Sequence, residues 1–342
     1  MTEHRVTVPD RRPKKWIISP SIGDYSTRNQ GFLTHIDDVK QKISNYLERP
    51  RTKRPLNFLI SAPPGNGKSF LIKQIARSIP QDIYQTIFEE VYVGSFDRID
   101  ELYAIFLRIQ SFNLQGKVPF VFFDEVDSKI GDTYIYQKLL APMWDGDYFV
   151  GKERYTLGKC IFFFAGSTLG ADEKSTEIID SAKKKGAIID YEDYYNDWLS
   201  GFMDVIAKKN SAEGSKILDF VDRIDRVIRI PPIDSVFLGD ELKVEYYDMI
   251  FTIIRKHFPG VTLVGKKVVE RIFLSLSTGK SIRDIEKIVF NSRLSGTDTF
   301  DASSLTHKTM QELGLSETSG DGYYQVVVNL PKPFATRRGP IT

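Results

Sequence analysis

From Pro55 to about Pro232, short apolar runs alternate with segments in which apolar residues recur at helical spacing. This alternation is typical of an α/β domain built on a mainly parallel sheet. It predicts five strands, at residues 56–60, 91–94, 118–123, 159–164 and 227–230. Apolar spacing also predicts a helix over residues 34–47 that leads into the domain, with Thr34 as its N-cap.

The pattern changes after Pro231 and Pro232. Helices joined by short turns are predicted at residues 246–254, 268–276 and 282–289, and residues 323–328 form a further candidate strand. We therefore divide the chain into an N-terminal extension (1–30), an α/β domain (31–233), a small helical domain (234–315) and a C-terminal tail (316–342). The charged segment 169–215 is interpreted as a solvated helical insertion.

Composition narrows the class of protein without identifying a ligand. A chain of 342 residues with 41% apolar and 27% charged residues is expected to form two water-soluble domains. No apolar run is long enough to cross a bilayer, and the basic N-terminus lacks the apolar run of a secretory signal, so we expect a cytoplasmic protein. The net charge of +2 gives no strong field for nucleic acid or membranes.

A phosphate-binding loop is predicted between the first strand and the helix that follows. Residues 61–69 read Ser-Ala-Pro-Pro-Gly-Asn-Gly-Lys-Ser. Gly65 and Gly67 would let successive backbone N–H groups converge on phosphate oxygens, Lys68 would reach the β- and γ-phosphates, and Ser69 would supply a hydroxyl to Mg²⁺. The residues predicted to bind ATP here are Pro64, Gly65, Asn66, Gly67, Lys68, Ser69 and Phe70.

One departure from the phosphate-loop motif is Ala62, which stands where the motif has its first glycine. A methyl group is tolerated there if the local φ is negative, so we expect binding to survive. The alternative interpretation of the segment is a turn rich in Gly and Pro that only joins a strand to a helix. The coincidence of strand, loop, Gly-Lys-Ser and helix favours the phosphate loop.

Two adjacent acids follow the most apolar predicted strand. Asp124 and Glu125 end the run 118–123, where the carboxyl edge of a central strand is expected to face the nucleotide. Asp124 would hold Mg²⁺ through its water shell, and Glu125 would orient and deprotonate the water that attacks the γ-phosphate. The alternative is that both acids cap the next helix or face solvent.

With these motifs the chain resembles the AAA+ family of P-loop ATPases over about residues 31–290. The resemblance implies a five-stranded parallel sheet with helices on both faces, followed by a small helical lid. Residues 139–148 and the strand ending in Ala165-Gly166-Ser167-Thr168 are similar to the Clp-type segment around sensor 1. By that resemblance Ser167, or as second choice Thr168, helps to place the attacking water, although many family members carry Asn there.

The resemblance also assigns arginines. Residues 218–226 are similar to the arginine-finger segment, with Arg223 as first choice and Arg226 as second, which implies a homo-oligomer, a hexamer being one form. The alternative is that both arginines form surface ion pairs with Asp222 and Asp225. Arg283 stands at the sensor-2 position of a lid helix, where it would report the nucleotide state; alternatively, it is an exposed arginine on that helix.

The work that such an ATPase performs is less well defined by the sequence. Phe96 lacks the aromatic-apolar-glycine context of a protein-threading loop, so a threading motor is not favoured. Three hypotheses remain: an ATPase that acts on a partner protein, an ATP-binding scaffold in which Ala62 and Ser167 leave hydrolysis negligible, and a DNA-binding ATPase that uses its charged insertion and tails. The third predicts binding that weakens steeply with salt.

Overall fold

The computed structural model describes residues 13–49, 52–63, 65–80, 84–166, 169, 172–211, 216–277, 282–294, 296–316 and 322–329. They form two compact units, one from Ser21 to Gly239 and the other from the residues up to Pro20 together with those from Asp240 onward. Within these residues, each helix is too short or too polar to span a lipid bilayer. In chain order the elements are β1 (Lys14–Ile18), α1 (Gln30–Glu48), β2 (Leu56–Ser61), α2 (Lys68–Ser78), β3 (Thr86–Tyr92), α3 (Asp100–Leu114), β4 (Val118–Asp124), β5 (Lys129–Ile130), β6 (Thr133–Tyr134), α4 (Ile135–Asp145), β7 (Asp147–Val150), β8 (Glu153–Thr156), β9 (Ile161–Phe164), α5 (Asp172–Lys185), α6 (Tyr191–Asn210), α7 (Ile217–Val221), β10 (Arg226–Arg229), α8 (Ser235–Leu238), α9 (Leu242–His257), β11 (Leu263–Gly265), α10 (Lys266–Ser277), α11 (Ile282–Phe290), β12 (Thr299–Phe300), α12 (His307–Leu313) and β13 (Tyr323–Val328).

The larger unit is built on a five-stranded sheet. Its strand order is β10-β2-β9-β4-β3, and every neighbouring pair is parallel. Every residue of β4 from Val118 to Phe123 is buried, and so is all of β9. Because alternate side chains of a strand point to opposite faces, this burial shows that both faces of the sheet are covered. The predicted α/β class with a five-stranded parallel sheet is confirmed.

Of the five strands of this sheet, β3, the second in chain order, differs most from its prediction. It was expected at residues 91–94, but β3 runs from Thr86 to Tyr92, and Val93–Ser95 form a single 3₁₀ turn. Glu89 and Glu90 interrupt the apolar run at this position. Since β3 is an edge strand of the sheet, it tolerates the partly buried Glu89 and the exposed Glu90, which the apolar pattern alone treats as a break.

The helix before the sheet begins four residues earlier than expected, at Gln30. Its N-cap is Asn29, whose side chain accepts a hydrogen bond from the Phe32 backbone N–H at 2.9 Å. Thr34 is therefore not the cap; its hydroxyl lies inside the helix and donates to the Gln30 carbonyl at 3.1 Å. Threonine hydroxyls inside helices commonly donate to the carbonyl four residues earlier, so a threonine near a helix start does not by itself identify the N-cap.

The insertion is not a solvated one. Its two helices are α5 and α6, and α6 places one row of aromatic and apolar side chains into the main core, namely Tyr191, Tyr194, Tyr195, Trp198, Phe202 and Ile206. The row follows helical spacing and is hidden in the sequence by the charged residues of the opposite face. The insertion therefore belongs to the structure that supports the sheet.

The smaller unit contains a sheet as well as helices α9 to α12. Its strand order is β1-β13-β11-β12, with β1 parallel to β13. Trp16 of β1 packs against Tyr247 and Phe251 and donates its indole N–H to Asp248 at 2.8 Å. The boundaries thus differ from the expected ones, because residues assigned to the extension and the tail complete this unit. The strand predicted at residues 323–328 is β13, whereas β1, β11 and β12, with two to five residues each, were too short for their periodicity to stand out.

Candidate functional site

The phosphate loop connects β2 to α2. Gly65 and Gly67 have φ values of 82° and 75°, a left-handed conformation that glycine adopts without steric cost. Gly67 is the N-cap of α2, and because glycine has no side chain it makes no side-chain capping bond to the N–H groups of the first helical turn. Ala62 is not among the described residues with positive φ, which is the condition under which its methyl group fits.

Lys68 is the first residue of α2, and its Nζ donates to the Ala62 carbonyl at 3.1 Å, so it folds back across the loop. Asn66, Ser69 and Phe70 are half-buried beside it. Pro64 lies outside the described residues. A lysine and a helix N-terminus at one loop supply positive charge where a triphosphate would be bound.

The two acids lie at the carboxyl end of β4. Asp124 is its last residue, and burial raises the pKa of the carboxyl while the charge of Lys68 lowers it. The charge of Lys68 therefore influences Asp124, although β9 separates their strands β2 and β4 in the sheet. The side chains predicted to bind phosphate and magnesium are thus electrostatically coupled.

Glu125 has an unusual backbone conformation. Its φ is 60°, and it is the one non-glycine residue with positive φ in the described part of the chain. The strained turn brings its carboxylate over Gly94, where a Cβ would lie only 2.2 Å from Glu125 Oε2. Such outliers persist where the surroundings enforce them, often at functional sites.

Tyr92, at the end of β3, contacts the same carboxylate. Its hydroxyl is hydrogen-bonded to Glu125, and this bond is the main cause that raises the pKa of the phenol. Tyr92 is half-exposed and is the register partner of Asp124 across the sheet. The structure therefore adds a residue that the sequence did not assign, because the predicted strand ended at residue 94 and placed Tyr92 inside it, whereas Tyr92 is the last residue of β3.

The sensor-1 assignment falls on residues that the structure does not describe, since both Ser167 and Thr168 lie outside the described ranges. The preceding Gly166 is described. A Cβ on it would lie 2.7 Å from Asp127 Oδ1, so the end of β9 closely approaches the turn that follows the acidic pair.

The two candidate finger arginines differ in their surroundings. Arg223 follows α7, donates from Nη1 to the Asp219 carbonyl and has its guanidinium 6.0 Å from the centre of the half-exposed Trp144 ring. Arg226 lies in β10 with its guanidinium 3.2 Å from His35 Nδ1 and 5.7 Å from the centre of the Tyr195 ring. Arg226 is thus integrated into its own domain, whereas Arg223 lies beside an exposed aromatic residue.

The alternative interpretation was ion pairs with Asp222 and Asp225, but Asp225 and Arg226 each pair with another residue. Asp225 Oδ1 pairs with Arg54 Nη2 at 3.0 Å. Arg226 lies 3.8 Å from Asp38. Arg283 belongs to the smaller unit, where it is exposed on α11.

A buried arginine that the sequence did not single out lies at the base of the phosphate loop. Arg229 is fully buried at the end of β10. Its Nη1 donates to Ser61 Oγ at 2.9 Å and its Nε to Tyr194 Oη at 3.0 Å. Its Nη2 lies 2.9 Å from Asp172 Oδ1, an ion pair by distance that is not aligned as a hydrogen bond. Arg229 thus links the strand before the loop to both helices of the insertion.

Comparison with known proteins supplies similarities of fold only. No family model and no curated protein sequence matches the chain. A closed-state cryo-EM reconstruction of Hsp104 with ATPγS and FITC-casein is similar at a TM-score of 0.48 and 16% identity, over 77% of this chain and 44% of that chain. PCH-2 of C. elegans is similar at a TM-score of 0.44 and 16% identity, over 81% of this chain and 67% of that chain. This protein therefore spans less than half of the Hsp104 chain.

Proposed function

We propose that this protein is an AAA+ ATPase that binds and hydrolyses ATP with Mg²⁺ in a homo-oligomer and transmits the resulting conformational change to a partner protein. The observation that carries the proposal is the placement of Lys68, which starts α2 directly after the glycine-containing loop, and of Asp124, which ends β4 at the carboxyl edge of the same parallel sheet. A phosphate loop and an acidic edge complete one hydrolytic site only together.

Each residue at this edge has a defined task in the proposal. The loop N–H groups and Lys68 hold the phosphates, and the oxygens of Ser69 and Asp124 are ligands of the type that Mg²⁺ prefers. Bound Mg²⁺ would neutralise charge on the β- and γ-phosphates. Glu125 accepts a proton from the attacking water, whose oxygen forms a bond to the γ-phosphorus while the bond from that phosphorus to the β–γ bridging oxygen breaks, so that ADP and phosphate leave.

The finger completes the site from a second copy. A guanidinium that stabilises the transferring phosphoryl group is worth roughly 10³ to 10⁵ in rate. The contacts of Arg223 support its assignment over Arg226, because it can leave a single carbonyl contact and its position over the half-exposed Trp144 ring at small cost. Arg226 would have to abandon contacts to His35 and Asp38.

The test is ATP turnover as a function of protein concentration with Mg²⁺, with the mass in solution recorded in parallel. Glu125→Gln and Arg223→Ala are expected to abolish turnover and to leave ATP binding intact. Arg98→Ala is the matched control for removing an arginine, because Arg98 pairs with Asp100 at the exposed start of α3. This control is expected to keep wild-type turnover and mass.

Two results would contradict the proposal. A chain that binds ATP but remains monomeric and inert at all concentrations would be a nucleotide-binding scaffold. Turnover that is independent of concentration and insensitive to Arg223→Ala would show that each chain completes its own site.

A further inference from the structure

Asn57 makes side-chain hydrogen bonds in addition to the backbone hydrogen bonds of its strand. It is fully buried in β2, the strand that ends at Ser61 and leads into the phosphate loop. Its Nδ2 donates to the Arg223 carbonyl at 3.1 Å and to the Met143 carbonyl at 3.0 Å. Since both partners only accept hydrogen bonds, the orientation of the side-chain amide is determined by its surroundings.

The backbone of Asn57 holds the same segment from a second side. Its N–H donates to Asp225 Oδ2 at 2.9 Å, and its carbonyl accepts the Asp225 N–H at 2.8 Å. Together with the hydrogen bond from its side-chain amide to the Arg223 carbonyl, three hydrogen bonds tie Asn57 to the two ends of the segment 223–225. The Arg223 N–H is occupied by the Phe220 carbonyl at 3.1 Å, so both peptide groups of Arg223 are anchored.

These hydrogen bonds matter because a buried polar group that loses its partner costs more free energy than a typical hydrogen bond contributes. An apolar residue at position 57 would leave the Arg223 and Met143 carbonyls without this donor, and a buried carbonyl without a partner is unfavourable. The loop can recover that free energy by moving its carbonyls toward water, which displaces the Arg223 backbone. A displacement of about 1 Å in a catalytic group costs on the order of 100-fold in rate.

We infer that Asn57 is the positioning residue for the trans-acting Arg223, so that one strand orders the phosphate loop of its own subunit at one end and the finger given to the next subunit at the other. This inference rests on the proposed function. It makes a directional claim: loss of the Asn57 amide impairs the site of the neighbouring subunit and spares the site of its own.

The experiment uses mixtures of two full-length variants. Glu125→Gln makes a donor, whose own site is inactive but which still supplies Arg223. Arg223→Ala makes an acceptor, whose own site is intact but which supplies no finger. Neither hydrolyses ATP alone, and their mixture is expected to recover turnover at the interfaces where a donor finger meets an acceptor site.

Asn57→Leu is then introduced into one variant at a time, so that the same substitution serves as its own control. In the donor it is expected to lower the turnover of the mixture by about tenfold or more. In the acceptor it is expected to leave the turnover of the mixture within about twofold. A role in folding alone would lower both mixtures equally, and that result would overturn the inference.

A second variant guards against misfolding. Asp225→Asn keeps an acceptor for the Asn57 N–H and removes the charge that attracts Arg54, so a smaller loss confined to the donor is expected. Thermal unfolding and mass in solution are measured for every mixture. If the parent donor and acceptor fail to recover turnover together, the proposed trans mechanism fails; if they recover it and Asn57→Leu has no effect in the donor, only the role of Asn57 fails.

Discussion

Replacement of Arg229 by Met tests whether a fully buried cation stabilises the larger unit. Methionine has nearly the length of arginine and can still cover the face of Trp198, whose ring centre lies 4.9 Å from the guanidinium carbon. The substitution therefore removes charge and hydrogen bonds while it retains most of the packing. Ala at this position would add a cavity and confuse the two effects.

The size of the stability loss depends on whether each residue that Arg229 contacts finds another hydrogen-bond or ion-pair partner. Tyr194 keeps a hydrogen bond to Ser175 at 2.8 Å, and the Asp172 side chain is 47% exposed, so water can replace its ion pair. Ser61 is buried and loses the donor to its hydroxyl, at a cost of about 1–3 kcal/mol. The two lost charge-assisted bonds are largely offset by the desolvation that a buried guanidinium no longer suffers. We expect a net loss of about 2 kcal/mol.

The assay is urea unfolding followed by the fluorescence of Trp198, with Trp16→Phe and Trp144→Phe in the background so that one tryptophan reports. The midpoint should fall while the slope of free energy against urea stays constant. Arg98→Met, the same exchange at an exposed pair, should change stability by less than about 0.5 kcal/mol. If Arg229→Met matched this control, the buried cation would contribute no net stability and our assessment of Ser61 would be wrong.

Three further changes test other parts of the larger unit. Tyr92→Phe removes the hydroxyl that binds Glu125 and should raise turnover by about two- to tenfold; a fall would show that Tyr92 assists the base. Burial lowers the pKa of His35 from 6.5 to about 4, so the unfolded chain takes up the proton first as the pH falls. The free energy of unfolding should therefore fall by roughly 3 kcal/mol when the pH is lowered from above 6.5 to below 4. His35→Gln should remove this contribution, which is checked by comparing the pH dependence of the urea midpoints of the two proteins. Trp198→Ala removes the fluorescent reporter, so its effect is measured by urea unfolding followed by circular dichroism; it should cost about 3–5 kcal/mol, whereas a solvated helix would lose almost nothing.

The parts that were predictable from the sequence are those whose signal is local. The phosphate loop is a contiguous run in which two glycines must take positive φ, and β4 is an apolar run that ends in two acids. In both, composition and position along the chain carry the chemistry. The five-stranded sheet follows, because buried parallel strands are apolar on both faces.

The residues that escaped prediction depend on contacts between distant parts of the chain. Arg229 looks like a surface residue of an edge strand until its bonds to Ser61 and Tyr194 are seen. Asn57 interrupts an apolar strand and would usually be judged a weak position in a core. A buried polar side chain is tolerated only where its partners converge, and periodicity carries no information about those partners.

The pairing of β1 with β13 has a consequence for synthesis of the chain. Lys14 and Tyr324 are neighbours in this sheet, so the first described strand cannot find its place until the ribosome has released almost all of the described residues. Until then β1, which carries Ile17 and Ile18, has no partner strand, whereas all five strands of the larger unit have already emerged. Vectorial synthesis therefore favours folding of the larger unit first, with closure of the smaller sheet as the late, long-range step.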